Sequence, residues 1–291
     1  MVLIIVILDV SFLIKNNQFL IGNMELIIFF IVGLMVGSFL NVVIYRLNLA
    51  ESIFWGRSHC PHCKAKINWY DNIPLLSFIL LQGKCRYCGE KISWQYPIVE
   101  FSTGLSFILL AEIFLQNHSW LNWLEVIFYL VLVSLLIVIL VYDLKFLKIP
   151  LLIIWLAVAW TSAYYLLVDS FNFPVLINFW DSRFLSGLIG GAIASSFFLF
   201  LVIISREKWM GMGDVYLGFL IGLVIGWPNI LLVLMLSFLL GSVVGLTLVI
   251  SKRKKMSSQL PFGPFLIISL FLIIFLLKFF PAIDSYLRFY Y

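Results

Sequence analysis

The chain has 291 residues, 63% of them hydrophobic and only 11% charged, with a mean hydropathy of +1.11. That composition excludes a soluble globular domain and points to an all-α polytopic membrane protein. A formal net charge of +5 is what the inner loops of such a protein carry, so it gives no reason to expect a nucleic-acid partner.

The first apolar stretch, Met1–Ile14, is short for a span, contains Asp9 and runs into Lys15-Asn16-Asn17-Gln18. It lacks the basic start and the Ala-x-Ala site of a secretory signal. Residues 1–23 therefore read as an upstream start or a dispensable extension. A far more ordinary first span opens at Met24-Glu25. Eight spans are expected, at roughly 25–45, 97–116, 121–142, 149–168, 184–204, 212–227, 229–250 and 263–280. Most hold about 20 residues, which at 1.5 Å each covers a hydrocarbon core of about 30 Å. The 212–227 run is the short one.

Lys and Arg set the orientation. With those spans, fifteen of the 19 fall on the side of the 46–96 loop and four (Lys15, Arg183, Lys278 and Arg288) on the other. The positive-inside rule places the N-terminus outside and the 46–96 loop in the cytoplasm. The expected organisation is a first transmembrane helix at 24–45, a cytoplasmic loop domain at 46–96 and a membrane domain at 97–291.

All four cysteines lie in that loop, as Cys60-Pro61-His62-Cys63 and Cys85-Arg86-Tyr87-Cys88, with 21 residues between the pairs. Two such knuckles supply four thiolates for a tetrahedral zinc ion, in the manner of a zinc ribbon. A reducing compartment argues against disulfides. Four sulfur ligands leave no open position, so the site reads as structural, a metal clip for a loop with little apolar mass. His59 and His62 read as solvated loop residues. Further on, Glu100 sits inside the second span without an evident cationic partner, and a buried acid there is a functional candidate.

Two acids stand out in the membrane domain. Asp143 closes an apolar run just before Lys145, Lys148 and Pro150, and Asp214 ends Gly211-Met212-Gly213-Asp214 at the start of another. Asp143 alone reads equally as a helix-end acid among headgroups. Together, on one predicted membrane face, they form a pair able to share a proton, deprotonate water and protonate a leaving amine, as in aspartic peptidases. Gly211 and Gly213 are expected to bring Asp214 to the membrane surface in a tight turn. Gly218, Gly222 and Gly226, and Gly187, Gly191 and Ser195 in the preceding span, form small faces for close helix packing. Lys252–Lys255 reads as a basic anchor facing anionic lipid. Pro261-Phe262-Gly263-Pro264-Phe265 reads as a kinked entry to the last span that also has the extended backbone to line a substrate path.

These segments resemble the bacterial prepilin leader peptidases, the bifunctional enzymes of type IV pilus, type II secretion and competence systems. The resemblance is carried by Gly37-Ser38-Phe39-Leu40-Asn41-Val42-Val43-Ile44-Tyr45-Arg46-Leu47 and by both cysteine knuckles. It continues through Trp69-Tyr70-Asp71-Asn72-Ile73-Pro74, Tyr96-Pro97-Ile98-Val99-Glu100, Asp143 with Ile149-Pro150, the Gly211–Asp214 motif and the Pro261–Phe265 segment. It implies a multi-pass protein of the bacterial inner membrane with both catalytic aspartates, Asp143 and Asp214, at the cytoplasmic face. Its implied substrates are prepilins or pseudopilins, single-span proteins whose basic leader is cut after a glycine. It further implies N-methylation of the new N-terminus with S-adenosylmethionine, for which Glu100 is the candidate residue. The chain departs from the family where many members carry further acids after the first aspartate: here Lys145 and Leu151 stand at those positions. This leaves Asp143 as the acid of that segment and puts a positive charge nearby.

Three other readings compete. A leader peptidase without methyl transfer would share the aspartates, but such archaeal enzymes lack the cysteine loop. A non-enzymatic assembly factor would leave the two aspartates without a purpose. A transporter would place its acids at midplane, within an inverted repeat that is not apparent here.

Overall fold

The computed structural model describes residues 23–49, 51–52, 56, 58–115, 119–172, 182–251 and 260–279. Residues 1–22 of the expected N-terminal extension and the basic cluster Lys252–Lys255 lie outside the described residues. Nine α-helices occur among those described: α1 (Asn23–Leu49), α2 (Leu76–Leu80), α3 (Gln95–Phe114), α4 (Trp120–Phe146), α5 (Leu151–Asn172), α6 (Arg183–Ser205), α7 (Met212–Ile225), α8 (Ile230–Ile250) and α9 (Gly263–Phe279). No strand occurs among the described residues beyond two isolated bridges, His59 with Lys66 and Lys84 with Lys91. The fold is the expected all-α membrane architecture with a small cysteine-bearing loop.

Six helices are long and apolar enough to cross a bilayer, while α7 and α9, at 14 and 17 residues, are shorter. The short span expected at 212–227 thus ends at Ile225, because Gly226 takes a left-handed φ of 75° and Pro228 follows. Elsewhere the helices run past the expected ends. The first continues to Leu49 and takes in Arg46, and α4 continues to Phe146, so that Asp143 lies inside the helix and not beyond it.

The chain divides into two compact units, one within Met1–Val42 and Phe54–Val133, the other within Val43–Ile53 and Ser134–Tyr291. In the first, α1 and α3 meet backbone to backbone. A Cβ on Gly33 would lie 2.7 Å from Gly104 Cα, and one on Gly37 2.7 Å from Glu100 Cα. Asn41, 1% exposed, ties the same two helices by donating to Tyr96 O at 3.1 Å.

In the second unit α7 is central and packs against α5, α6, α8 and α9. Its contact with α6 is closest. Gly187 and Gly191 face Leu223 and Phe219, as their small-residue spacing predicts, and Gly190 joins them. A Cβ on Gly222 would fall 2.4 Å from Gly190 C. Lipid tails are as apolar as Leu, so helices gain by close van der Waals contact, and only glycine permits this approach. Asp169 fastens one end of the unit by accepting the Ser182 hydroxyl at 2.6 Å and the Phe184 N–H at 3.0 Å, at the start of α6.

Replacing Gly222 with Val should force α6 and α7 apart and cost about 1–3 kcal/mol or more of stability. Thermal unfolding of the purified variant in detergent measures it; an unchanged midpoint would contradict the packing described.

Candidate functional site

The acid pair is built by two helix ends of the second unit. Asp214 is the third residue of α7, where an acid is favoured by the helix dipole, and its carboxylate accepts the Gly211 N–H at 3.3 Å while its own N–H donates to Gly211 O at 3.1 Å. It is 9% exposed. Asp143 lies in the last turn of α4, where the dipole opposes a carboxylate, and is 5% exposed. Local helix chemistry therefore explains Asp214 and leaves Asp143 without a structural reason. The two carboxylates lie within reach of each other's charge.

Gly213 is closely packed. A Cβ there would stand 3.0 Å from the Ile149 side chain, so α7 starts hard against the turn that follows Asp143. Gly211 differs. Its φ of −92° and ψ of 165° are open to any residue, and a Cβ there would meet nothing closer than 4.0 Å. Lys145 is exposed, with its ammonium 5.4 Å from the Phe146 ring.

Composition and spacing missed one neighbour. A Cβ on Gly263, the first residue of α9, would lie 2.7 Å from Asp143 Oδ2. That oxygen has no hydrogen-bond partner among the described residues, and the Gly263 backbone lies beside it without meeting hydrogen-bond geometry. The signal was a glycine between Pro261 and Pro264, a spacing that marks a bend but not what the bend approaches. Only glycine leaves the acid uncovered here.

The four cysteines converge. Their sulfurs all lie within 4.8 Å of one another, with Cys60 Sγ and Cys88 Sγ at 4.0 Å. A tetrahedral zinc site with bonds of about 2.3 Å sets its sulfurs about 3.8 Å apart, so the cluster fits such an ion after slight contraction. The two knuckles repeat one construction. In each, the first cysteine's N–H donates to the carbonyl five residues on (Cys60 to Ala65, Cys85 to Glu90), and its own carbonyl accepts from the residue after the second cysteine (Lys64, Gly89). That last residue is left-handed in both, with φ of 59° at Lys64 and 71° at Gly89.

Backbone N–H groups of Cys88 and Tyr87 bring the Cys85 thiol down to about 7. Cys88 goes the other way: a backbone bond from Glu90 favours its thiolate, but desolvation and the neighbouring thiols Cys63, Cys85 and Cys60 push it up to about 12. Four sulfurs so close cannot all ionise without a cation among them. Beside the knuckles, Arg86 holds both carboxylate oxygens of Asp71, at 2.6 Å from Nη2 to Oδ1 and 3.0 Å from Nε to Oδ2, and that pairing raises its already high pKa.

Glu100, 7% exposed in α3, accepts the Leu75 N–H at 2.8 Å and a bond from Ser38. Leu75 is the centre of a γ-turn with φ 59° and ψ −48°, closed by Leu76 N–H to Pro74 O at 2.6 Å. Such positive-φ turns are rare and strained. Glu100 thus fastens a strained turn of the cysteine loop to a membrane helix.

Comparison with known proteins follows this division. A family model described as the bacterial peptidase A24 N-terminal domain matches residues 31–114, and the type IV leader peptidase family model matches residues 130–246. A Vibrio cholerae protein named prepilin leader peptidase/N-methyltransferase is 34% identical over 266 residues, covering 87% of this chain and 97% of its own. A Myxococcus xanthus protein of the same name is 35% identical over 234 residues, 79% of this chain; the aligned part is 65% of that longer protein. A type 4 prepilin-like proteins leader peptide-processing enzyme of Escherichia coli is 32% identical, with coverage of 80% and 87%. No solved structure matches.

The duplicated knuckle carries its own prediction. Lys64→Gly should relieve the left-handed strain and stabilise the loop by up to about 1 kcal/mol, while Gly89→Ala should destabilise it by about 1–2 kcal/mol. Limited proteolysis of the loop in the intact protein reads both; equal protection of the two variants would contradict the shared geometry.

Proposed function

The chain belongs to the type IV leader peptidase family, and from that premise we propose that it removes the basic leader of prepilin-like proteins and methylates the N-terminus so exposed. The observation that carries the peptidase half is the pair of buried carboxylates, Asp143 and Asp214, presented by two helix ends within reach of each other's charge. One carboxylate takes a proton from water as the water's oxygen attacks the scissile carbonyl. The other, protonated, gives its proton to the leaving amine nitrogen, so the two exchange roles over the cycle. Neither step requires a group that the chain does not itself carry. Gly213 and Gly263 hold the second rank: one lets α7 seat against Ile149, the other leaves Asp143 Oδ2 open.

The pair faces the cytoplasm on this reading, supported by the fifteen-to-four division of Lys and Arg. The substrate is then a single-span protein cut just outside its apolar helix. A helix hides its carbonyls in internal hydrogen bonds, and a glycine at the end of the leader weakens it by about 1 kcal/mol relative to Ala, which frees an extended stretch for attack.

The cysteine cluster is the site of a structural zinc ion, held by Cys60, Cys63, Cys85 and Cys88 and supported by the convergence of the four sulfurs. For methyl transfer the donor would be S-adenosylmethionine, and Glu100 is the proposed residue on the enzyme. Its support is burial in α3 beside Ser38, away from any Lys or Arg in sequence.

Asp143→Asn and Asp214→Asn should each lower leader cleavage by about 10² to 10⁴-fold or beyond, with insertion and folding intact. Turnover near that of the unaltered protein in either would sink the two-carboxylate mechanism. Purified protein should carry about one zinc per chain by elemental analysis, lost on replacing both Cys60 and Cys63, or both Cys85 and Cys88, by serine; a metal-free preparation with an ordered loop would contradict this. Glu100→Gln keeps an acceptor for Leu75 and should spare cleavage while abolishing methylation. Methylation at the original rate would remove Glu100 from that role.

A further inference from the structure

The loop unit carries an apolar face that neither aspartate nor cysteine chemistry uses. The five-residue helix α2 turns Leu76, Ile79 and Leu80 outward, at 49%, 69% and 71% exposure, and Ile73 and Trp94 extend the patch. Large apolar side chains gathered this way on a polar loop mark an interaction surface.

Two contacts within the unit set the height of that face along α3. The Leu75 N–H, immediately before α2, reaches Glu100 at 2.8 Å. Glu100 lies five residues into α3, about 7 Å along its axis from Gln95 at 1.5 Å per residue. The Phe78 ring in α2 packs 5.1 Å from the ring of Trp94, the residue before α3 begins. The helix α2 therefore starts beside the second turn of a spanning helix and reaches the level of that helix's N-terminus by Phe78.

We propose that α2 is an interfacial membrane anchor, its Leu76, Ile79 and Leu80 face inserted at the boundary between lipid headgroups and acyl chains. The occupant of the face is the bilayer itself. Leu75 lies beside the second turn of α3 and Phe78 beside the residue that precedes α3, so α2 sits at the end of a spanning helix, the level at which interfacial helices bury their apolar side. Trp94 sits where aromatic belts form. Beyond α2 the exposed Lys84 and Lys91 stand opposite each other at the base of the second knuckle, the chemistry that meets anionic headgroups. The cysteine cluster is thereby tethered to the membrane surface from two sides, by the spanning helix and by α2. This inference rests on α3 crossing the membrane and is independent of the peptidase assignment.

Depth-dependent quenching tests it. An environment-sensitive fluorescent amino acid is placed at Leu80, Glu90 or Leu105 of the full-length protein, reconstituted in nanodiscs containing lipids brominated at shallow or deep acyl positions. Leu105, on α3 and 42% exposed, reports the bilayer interior, and Glu90 reports the loop surface. The Leu80 probe should be blue-shifted against Glu90 and quenched about two-fold or more strongly by shallow bromines. If Leu105 is quenched while Leu80 behaves like Glu90, the anchor is overturned and the spanning helix stands; a protein partner covering the face gives this same outcome. If Leu105 escapes quenching, the membrane placement of α3 fails, and the anchor with it. The probe at Ile79 repeats the measurement should the Leu80 variant not fold, with the same two outcomes.

Discussion

The contact between α6 and α7 is the constraint on which the second unit depends. In a bilayer no hydrophobic gain rewards one apolar helix for touching another, so position is set by how closely backbones approach. Gly187, Gly190 and Gly191 on one side and Gly222 on the other bring them within a distance that a single methyl group would forbid. The short α7 is thereby fixed at the centre of its neighbours, and its first turn, with Asp214, is fixed with it. Gly213 against Ile149 then ties that first turn to the segment that follows Asp143. Two acids on different helices acquire a defined relation through a chain of contacts made almost wholly by glycine.

The two acids offset their burial differently. Asp214 recovers part of the cost locally, through the Gly211 N–H and the dipole of α7. Asp143 stands at the unfavourable end of α4 with Oδ2 unpartnered among the described residues. An acid that gains nothing locally, beside a glycine that leaves it open, is the arrangement expected where water and a substrate carbonyl are to be received. The loop unit follows another logic. Its knuckles bring four sulfurs together in a cluster that could hold a metal ion, and Glu100 accepts the N–H of its turn at Leu75.

Much of the architecture was legible because spanning helices are a one-dimensional signal: an apolar run of the right length reports itself. The short run beginning at Met212 was legible for the same reason, and Gly226 with Pro228 explains where it stops. The cysteine spacing carried the cluster, because two knuckles can converge only if each turns tightly, as the left-handed Lys64 and Gly89 show. What stayed hidden depends on residues distant in sequence meeting in space. Gly263 was visible as part of a proline-flanked bend, yet nothing local says that Asp143 lies beneath it. Glu100 was recognised as a buried acid, but its partner, the backbone of Leu75 in a turn that leucine seldom adopts, has no sequence signature. Gly211, expected to be required by a tight turn, occupies a backbone conformation open to other residues.

On the proposed function, Asp143 and Asp214 cut a leader at the cytoplasmic membrane face and expose an N-terminus for methylation. The most direct measurement is mass spectrometry of a candidate prepilin's N-terminus after incubation with the full-length protein and S-adenosylmethionine. The expected product is a substrate shortened to the residue after the leader's glycine, outside the apolar helix, and carrying one added methyl group. An unshortened substrate, or a cut mapped well inside the apolar segment, would contradict it.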